Sequence, residues 1–166
     1  LSCTHSLFQQ PWWLQAVAPG SWDAVVAVEN NEVVGRLPFV RKRRLGLTIL
    51  TQPRLTPFLG PWIKAGAGKT HTQLERENRI FKSLIAALPK HDVFLQDFHQ
   101  SITNVLPFYW HGFLHSVQYT YIIDELDDLD RVWTGFRENI RREIRKAERR
   151  VVIRCSEDVE TFIALN

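Results

Sequence analysis

The sequence predicts a mixed α/β domain of the α+β kind, with an antiparallel hairpin in its sheet. Runs rich in β-branched residues stand near the start, helical and strand patterns then alternate, and no repeat interrupts that order. The 166 residues suffice for one domain with a sizeable core, and a hydrophobic fraction of 45% excludes a disordered chain. We therefore expect a single domain over residues 1–166.

The first part of the chain predicts a short helix followed by three strands. The segment QPWWLQAVA opens with a proline that suits a helix start. WDAVVAVE and EVVGRLPFVRKR are strand-like, and Asn30-Asn31 between them tolerates the positive φ of a tight hairpin turn. GLTILTQP predicts a third strand that ends at Pro53, and a loop rich in proline and glycine follows over 54–68.

Helices and strands alternate in the rest of the chain. Residues 71–88 repeat apolar side chains at helical spacing, and Pro89 ends that helix. The predicted elements that follow are a strand in DVFLQDFH, a short helix and turn in TNVLPFYWHGF, a strand in SVQYTYIID, one helix or two joined near Gly135 in LDRVWTGFRENIRREIRKAERR, a strand in VVIRC and a further helix in EDVETFIALN.

The stretch AGAGKT, at 65–70, is similar to the end of a phosphate-binding loop. Its last three residues match G-x-x-x-x-G-K-[ST], but Ile63 stands where the first glycine belongs. Two prolines also interrupt the strand that would have to feed such a loop. We therefore predict a glycine loop before a helix, without a nucleotide site.

The net charge of +3 is concentrated in two basic clusters, VRKRR at 40–44 and RENIRREIRKAERR at 137–150. In the second cluster apolar residues fall on one helical face, and basic residues outnumber acidic ones more than twofold. One interpretation is a solvated helix with internal ion pairs. The other is an anion-binding helix in which Arg141, Arg145 and Lys146 face the phosphates of a nucleotide-linked donor or of RNA.

The segment NIRREIRKAERRVVI, with its R-x-x-I-R-K-A helix before a strand, resembles a hallmark of the FemAB-like branch of the GNAT superfamily. WDAVVAVENNEVVGRLPFV is similar to the first strands of the first GNAT-like half of those tandem proteins, and FQQPWWLQAV to its opening helix. LTILTQPRLTPFLGPWI and NVLPFYWHGFLHSVQYTYIID resemble later segments of that half. The resemblance implies a GNAT-like fold, a mostly antiparallel sheet flanked by helices, as the N-terminal half of a tandem protein.

The same resemblance implies transfer of an acyl or aminoacyl group from a CoA or tRNA carrier to an amine, with this chain as the acceptor-side half. No Q/R-x-x-G-x-G/A signature is present, so no cofactor is expected in this half and little activity from the chain alone. The full protein would use acyl-CoA or aminoacyl-tRNA as donor. The expected partners are a second GNAT-like half or a second copy, the amine acceptor, and tRNA. LQAVAPGSW lacks the lysine of peptidoglycan-directed members, which argues against a cell-wall substrate.

Five residues are candidates for the site itself. Asp97 and His99 end a predicted strand, where α/β clefts form, and are the candidate general bases. Trp13, Tyr109 and Trp110 are the aromatic candidates for substrate binding in a cleft. For each of the five, packing or surface exposure is the alternative interpretation.

No metal site is expected. HGFLH lacks the glutamate of H-E-x-x-H, and the acidic run DELDDLD suits the N-terminus of the helix that follows it. Two rival functions stay open: a non-catalytic basic module that binds RNA or another polyanion, and a GNAT-like half that serves only as a dimerisation scaffold.

The cysteine and hydropathy patterns predict a cytoplasmic protein without a membrane span. No apolar run reaches about 18 residues. Cys3 and Cys155 are far apart and form no C-x-x-C motif, which fits a reducing compartment, although a bridge between them is the alternative. The chain begins with leucine and contains no methionine, so we expect a fragment or a processed chain.

Overall fold

The computed structural model describes residues 4–123, 125–153, 155 and 160. The chain divides into two compact units, Leu1–Ser116 and Val117–Asn166, and each is described by itself. The first unit contains, in order, a short 3-10 helix Leu7–Gln9, α1 Pro11–Val17, β1 Trp22–Glu29, β2 Glu32–Arg44, β3 Leu47–Thr51, β4 Trp62–Ile63, α2 Thr70–Ala87, β5 Val93–Leu95 and α3 Leu106–Trp110. The second unit contains α4 Leu129–Gly135 and α5 Glu138–Glu148.

The five strands form one mixed sheet in which β2 is the central element. β1 and β3 both pair antiparallel with β2, β4 pairs antiparallel with it over two residues, and β5 pairs parallel with β3. The parallel pairing follows from the crossover, because α2 carries the chain back before β5 begins. The prediction of an α+β fold with a mixed, mostly antiparallel sheet is thereby confirmed.

The β1–β2 hairpin turns where the sequence predicts it. Asn30 and Asn31 have φ values of 50° and 62°, the left-handed conformation that asparagine tolerates better than most residues. A second turn, at Leu45 and Gly46, joins β2 to β3 with φ values of 51° and 80°. Both turns are short, so the three strands lie side by side in chain order.

The core lies between the sheet and one face of α2. Its buried members are Ala27, Val34, Leu37, Ile80, Phe81, Leu84, Ile85 and Phe108. The helix begins at Thr70, directly after the glycine loop, and the Gln73 amide donates to the Gly68 carbonyl at 2.8 Å. The predicted glycine loop and the helix that follows it are confirmed.

The acidic run before α4 has the capping role that its charge predicts. Asp128 is the N-cap residue, and its carboxylate accepts the backbone N–H of Arg131 at 2.9 Å. Phe136 and Arg137 have extended backbones, so LDRVWTGFRENIRREIRKAERR forms two helices and not one.

Two strand predictions are wrong. Residues 116–123 form no strand, and Tyr119 and Tyr121 are 95% and 98% exposed. Residues 151–153 form none either, and Ile153 is 91% exposed. β-Branched and aromatic residues favour a strand only where a neighbouring strand and an apolar surface receive them, and these side chains meet solvent instead. The predicted helix at 157–166 lies outside the described residues, apart from Glu160. Cys3 also lies outside them. The thiol of Cys155 is free and exposed.

In the part of the chain that the structure describes, none of the helices is both long enough and apolar enough to cross a membrane.

Gly35 leaves no room for a side chain between β2 and α2, and we expect Gly35→Ala to destabilise the first unit. A Cβ at this position would lie 2.5 Å from Ile80 Cγ2 and 3.2 Å from Leu84 Cδ1. Because Ile80 Cγ2 sits close to the helix backbone, relief requires a backbone shift, and we expect a loss of about 1–3 kcal/mol in the free energy of unfolding. Denaturant unfolding measures it.

A double-mutant cycle with Ile80→Ala supplies the control for this prediction. The alanine removes the atom that collides, so Gly35→Ala should cost less in the Ile80→Ala background than in the wild type. Equal stability of Gly35→Ala and the wild type would contradict the packing described here.

Candidate functional site

A buried glutamine fixes the N-terminal segment against the loop that precedes β4. The Gln9 side chain is 0% exposed. Its Nε2 donates to the carbonyls of Leu59 and Gly60 at 2.9 and 3.0 Å, and its Oε1 accepts the backbone N–H of His5 at 2.7 Å. An amide with these partners satisfies its buried polar atoms, so the segment is held in one position.

This position stacks His5 on His99. The two imidazole rings are 5.6 Å apart between centroids and nearly parallel, at 14°. Further aromatic rings continue the row: Phe58 meets His99 edge-on at 5.0 Å, Phe8 meets Phe58 at 5.2 Å, and Trp13 meets Phe8 at 5.2 Å. The structure therefore brings two of the predicted residues, Trp13 and His99, into one aromatic row, together with a histidine that the sequence did not single out.

Ser101 completes a hydrogen-bonded pair with His99. Nδ1 of His99 lies 2.8 Å from Ser101 Oγ and accepts the backbone N–H of Ser101 at 3.2 Å. A backbone N–H can only donate, so Nδ1 carries no proton in the neutral ring and the proton sits on Nε2. The serine hydroxyl then donates to Nδ1, in the geometry of a hydroxyl beside a base. We name His5, His99 and Ser101 the histidine site.

Both histidines favour the neutral form. Burial lowers the pKa of His99 below its ordinary value of 6.5. Burial also lowers the pKa of His5, and a charge on the stacked His99 lowers it further. The Nε2 atom of His5 is buried and has no hydrogen-bond partner among the described residues. A proton acceptor must be unprotonated at neutral pH, and these two imidazoles meet that condition.

A cavity of about 200 Å³ opens beside the histidine site. Its lining comes from the N-terminal segment, the glycine loop, α2 and the segment before α3: His5, Ile63, Lys64, Ala65, Gly66, Gln73, Arg76, Glu77, Phe81, Ser101, Ile102, Thr103 and Asn104. Ser101 lines this cavity and His99 does not. Ser101, which is hydrogen-bonded to His99, and His5 therefore both border the cavity.

Glu77 contributes a negative charge to this lining. The two cations of the lining have partners, because Lys64 pairs with Glu32 and Arg76 pairs with Glu29 at 3.2 Å. Glu77 accepts only a long hydrogen bond of 3.4 Å from Asn104, and within the described residues it pairs with no cation. Glu77 is thus the carboxylate of the lining that no ion pair occupies in the described part of the chain, and it can pair with a small cationic group.

Asp97, the other candidate base, is held by Gln52. Its carboxylate accepts the Gln52 amide at 3.1 Å, its backbone N–H donates to Gln52 Oε1 at 2.7 Å, and its carbonyl accepts the N–H of Leu59 at 2.8 Å. Gln52 also donates to the Thr56 carbonyl at 2.9 Å, and Trp13 Nε1 donates to the Thr56 hydroxyl at 3.0 Å. These bonds link Asp97 to the loop that carries Phe58.

Tyr109 and Trp110 take no part in the aromatic row. Both lie on α3 and are more than half exposed. Tyr109 contacts His115, with ring centroids 5.7 Å apart, and Lys82 Nζ lies 5.6 Å from the Trp110 ring centroid. Neither lines the cavity beside Ser101.

The three predicted anion-binding residues of α5 have glutamate partners on the same helix. Arg141 and Arg145 lie 2.7 and 3.5 Å from the carboxylate of Glu138, and Lys146 lies 3.4 Å from that of Glu143. Arg145 also lies 5.3 Å from the centre of the Trp133 ring. These contacts support the interpretation of a solvated helix with internal ion pairs, and binding of an anion would have to compete with them.

Among the residues that the structure describes, no group of three or more histidine, cysteine or carboxylate side chains could hold a metal ion. Reasoning from the sequence missed His5, Gln9, Glu77 and Ser101 as members of the site. The local signal that could have found one of them is the spacing of His99 and Ser101, two residues apart after a strand.

No protein-family model, curated protein or solved structure matches the chain significantly. The function is therefore inferred from the geometry of the site and from the residues of the chain.

We expect stability to fall as the pH drops below about 6.5, because both histidines have lowered pKa values in the folded state. In that range the unfolded chain binds protons that the folded chain does not, so the free energy of unfolding decreases until the pH reaches the folded-state pKa values. Denaturant unfolding between pH 5 and 7.5 measures the slope.

His99→Gln should flatten this profile, because it removes one histidine with a lowered pKa and also the charge that lowers the pKa of His5. His71→Gln, at an exposed position of α2, is the matched control and should leave the slope as it is in the wild type. A profile that has no slope in the wild type, or that His99→Gln does not change, would contradict the partial burial of the two histidines.

Proposed function

We propose that this chain belongs to an N-acyltransferase and that its histidine site receives the proton that an amine acceptor releases during acylation. The observation that carries the proposal is the hydrogen bond from Ser101 to Nδ1 of a neutral His99, at the edge of a cavity that contains the carboxylate of Glu77. The resemblance of the chain to the FemAB-like branch of the GNAT superfamily supports the same reaction.

Glu77 selects an amine as the acceptor. An alkylamine is mostly an ammonium ion at neutral pH, and an unpaired carboxylate in a partly enclosed cavity attracts it. The cavity of about 200 Å³ accommodates the amine end of a larger molecule and not the whole of it. The rest of the acceptor would therefore lie outside the cavity.

The proton then moves from the amine to His99 through Ser101. The bound ammonium ion first loses one proton to solvent. The neutral amine then attacks the acyl carbonyl, the carbonyl π pair moves to the oxygen, and the new C–N bond leaves a positive nitrogen that is far more acidic than a free ammonium ion. This nitrogen gives its proton to Ser101 Oγ as the hydroxyl gives its own proton to Nδ1 of His99. The carrier leaves with the bonding electron pair and takes the proton from the imidazolium. Positioned acid–base groups of this kind contribute about 10²–10⁴-fold to a rate.

The acyl donor in this proposal is acyl-CoA or an aminoacyl-tRNA, bound by a second GNAT-like half or a second copy of the chain. The proposal includes a cytoplasmic location, where both donors are found. We also propose that the sheet is GNAT-like and that this chain is the N-terminal half of a tandem protein. The segments that resemble the FemAB-like branch support both proposals.

The chain alone is expected to have little activity with a CoA- or tRNA-borne acyl group, because it lacks the donor site. A small activated ester needs no such site and therefore tests the chemistry in this chain. The chain is mixed with p-nitrophenyl acetate and n-butylamine, and N-butylacetamide is quantified by mass spectrometry. We expect acceleration by the wild type and a rate lower by about 10²-fold in Ser101→Ala and in His99→Gln, because each breaks the proton path. Glu77→Gln should raise the KM for the amine more than it lowers kcat.

Ser83→Ala, which removes an exposed hydroxyl from α2, is the matched control and should react like the wild type. Wild-type rates in Ser101→Ala and His99→Gln, or no acceleration by the wild type, would overturn the proposal.

A further inference from the structure

A second concave surface lies at the far end of the β2–β3 hairpin, where it meets the turn after α2. This open cleft, which we name the basic cleft, has a volume of about 610 Å³ and is lined by Arg41, Arg43, Thr48, Pro89, Lys90 and Asp92. None of these residues lines the cavity of the histidine site.

The strand geometry places two arginines on the same face. Arg41 and Arg43 are two positions apart on β2, so their side chains lie on one side of the sheet, and Lys42 and Arg44 lie on the other. Arg43 stands opposite Thr48 of β3 in the ladder, and Arg41 stands opposite Leu50. Lys90 comes from a different element, so three cations meet at the cleft.

These cations have no carboxylate partner. Elsewhere in the first unit Lys64, Arg76 and Arg79 each pair with a glutamate. In the described residues no such ion pair forms at Arg41, Arg43 or Lys90.

Asp92, the acidic residue of the lining, has a structural role. Its carboxylate accepts the N–H of Thr48 at 2.7 Å, and its own N–H donates to the Thr48 carbonyl at 2.9 Å. These two bonds hold the loop before β5 against β3. They leave the cleft with three cations against one carboxylate that is already hydrogen-bonded.

We propose that the basic cleft binds a phosphate group through Arg41, Arg43 and Lys90. The planar guanidinium forks bind phosphate oxygens in pairs, and the lysine adds a compact charge. The phosphate belongs either to the backbone of an RNA strand or to a free phosphorylated ligand. This proposal is independent of the proposed acyl transfer, because it rests on residues that do not belong to the histidine site and on a different observation.

The ladder between β1 and β2 ends at Val40, so beyond it β2 has an edge that β1 does not cover. Protection of this edge is the competing explanation for these charges, since exposed basic residues on an edge discourage pairing with other chains. Edge protection would use both faces of the strand alike. Lys90 does not lie on the strand, so edge protection would not explain its position at the cleft. The two explanations therefore differ in what they predict for the two faces of β2.

Variants of the two faces separate these explanations in a titration of the full chain. Inorganic pyrophosphate and an eight-nucleotide oligouridylate are titrated separately into the wild type, Arg41→Gln/Arg43→Gln and Lys42→Gln/Arg44→Gln, at about 50 and 200 mM salt. Both double variants lose two positive charges from the same strand. We expect the first to weaken binding at least about tenfold and the second less than about threefold. Lys90→Gln should weaken binding by an intermediate amount.

The two probes identify the source of the phosphate. For an RNA ligand the oligonucleotide binds more tightly than pyrophosphate, and Arg41→Gln/Arg43→Gln reduces the salt slope of log K by about 1.4, because each phosphate contact of a single strand contributes about 0.7. For a free phosphorylated ligand pyrophosphate binds at least as tightly. Absence of binding by both probes, or equal losses in the two double variants, would overturn the site. Neither result bears on amide formation at the histidine site, so the two proposals fail separately.

Discussion

The first unit depends on the side-chain amide of Gln9. An amide buried without partners would cost about 1–3 kcal/mol, so its position is tolerable only with its hydrogen bonds in place. The Gln9 side chain makes hydrogen bonds to Leu59, Gly60 and the backbone of His5. The backbone carbonyl of Gln9 accepts a hydrogen bond from Arg36 of β2. One residue thereby ties the N-terminal segment to the loop before β4 and to the central strand. The stacking of His5 on His99 follows from that arrangement.

A second amide has a comparable role in the sheet. β3 and β4 pair with different stretches of β2, at 40–44 and 35–36. Gln96 lies where backbone pairing is interrupted between them: its Nε2 donates to the Pro38 carbonyl at 2.8 Å, and its Oε1 accepts the N–H of Gly60 at 3.2 Å. Side-chain amides thus replace ladder bonds, and the loop carrying Gly60 is held from both sides. The resulting unit has a cavity with an unpaired carboxylate at the histidine site and an excess of cations at the basic cleft.

The sequence predicted what local chemistry determines. Asn30-Asn31 fixes a hairpin turn, and the helical spacing of Ile80, Phe81 and Leu84 fixes the buried face of α2. The site depends on contacts between distant residues and could not be predicted in this way, since Gln9 binds a residue 50 positions away and appears in the sequence as an ordinary polar residue beside Gln10. His99 was found because it follows a strand, but its partner His5 was not. SVQYTYIID was misassigned because strand propensity does not indicate whether an edge is present to pair with.

The central claim is that Gln9 holds His5 against a neutral His99, and NMR titration of the two imidazole rings tests it most directly. The account predicts that both rings titrate below pH 6.5 in the wild type, with the nitrogen shift of an unprotonated Nδ1 at His99. In Gln9→Met, which keeps the volume but loses the amide, the pKa of His5 should return toward its ordinary value while His99 changes less. Ordinary titration of both rings in the wild type, or an unchanged His5 in folded Gln9→Met, would contradict the account.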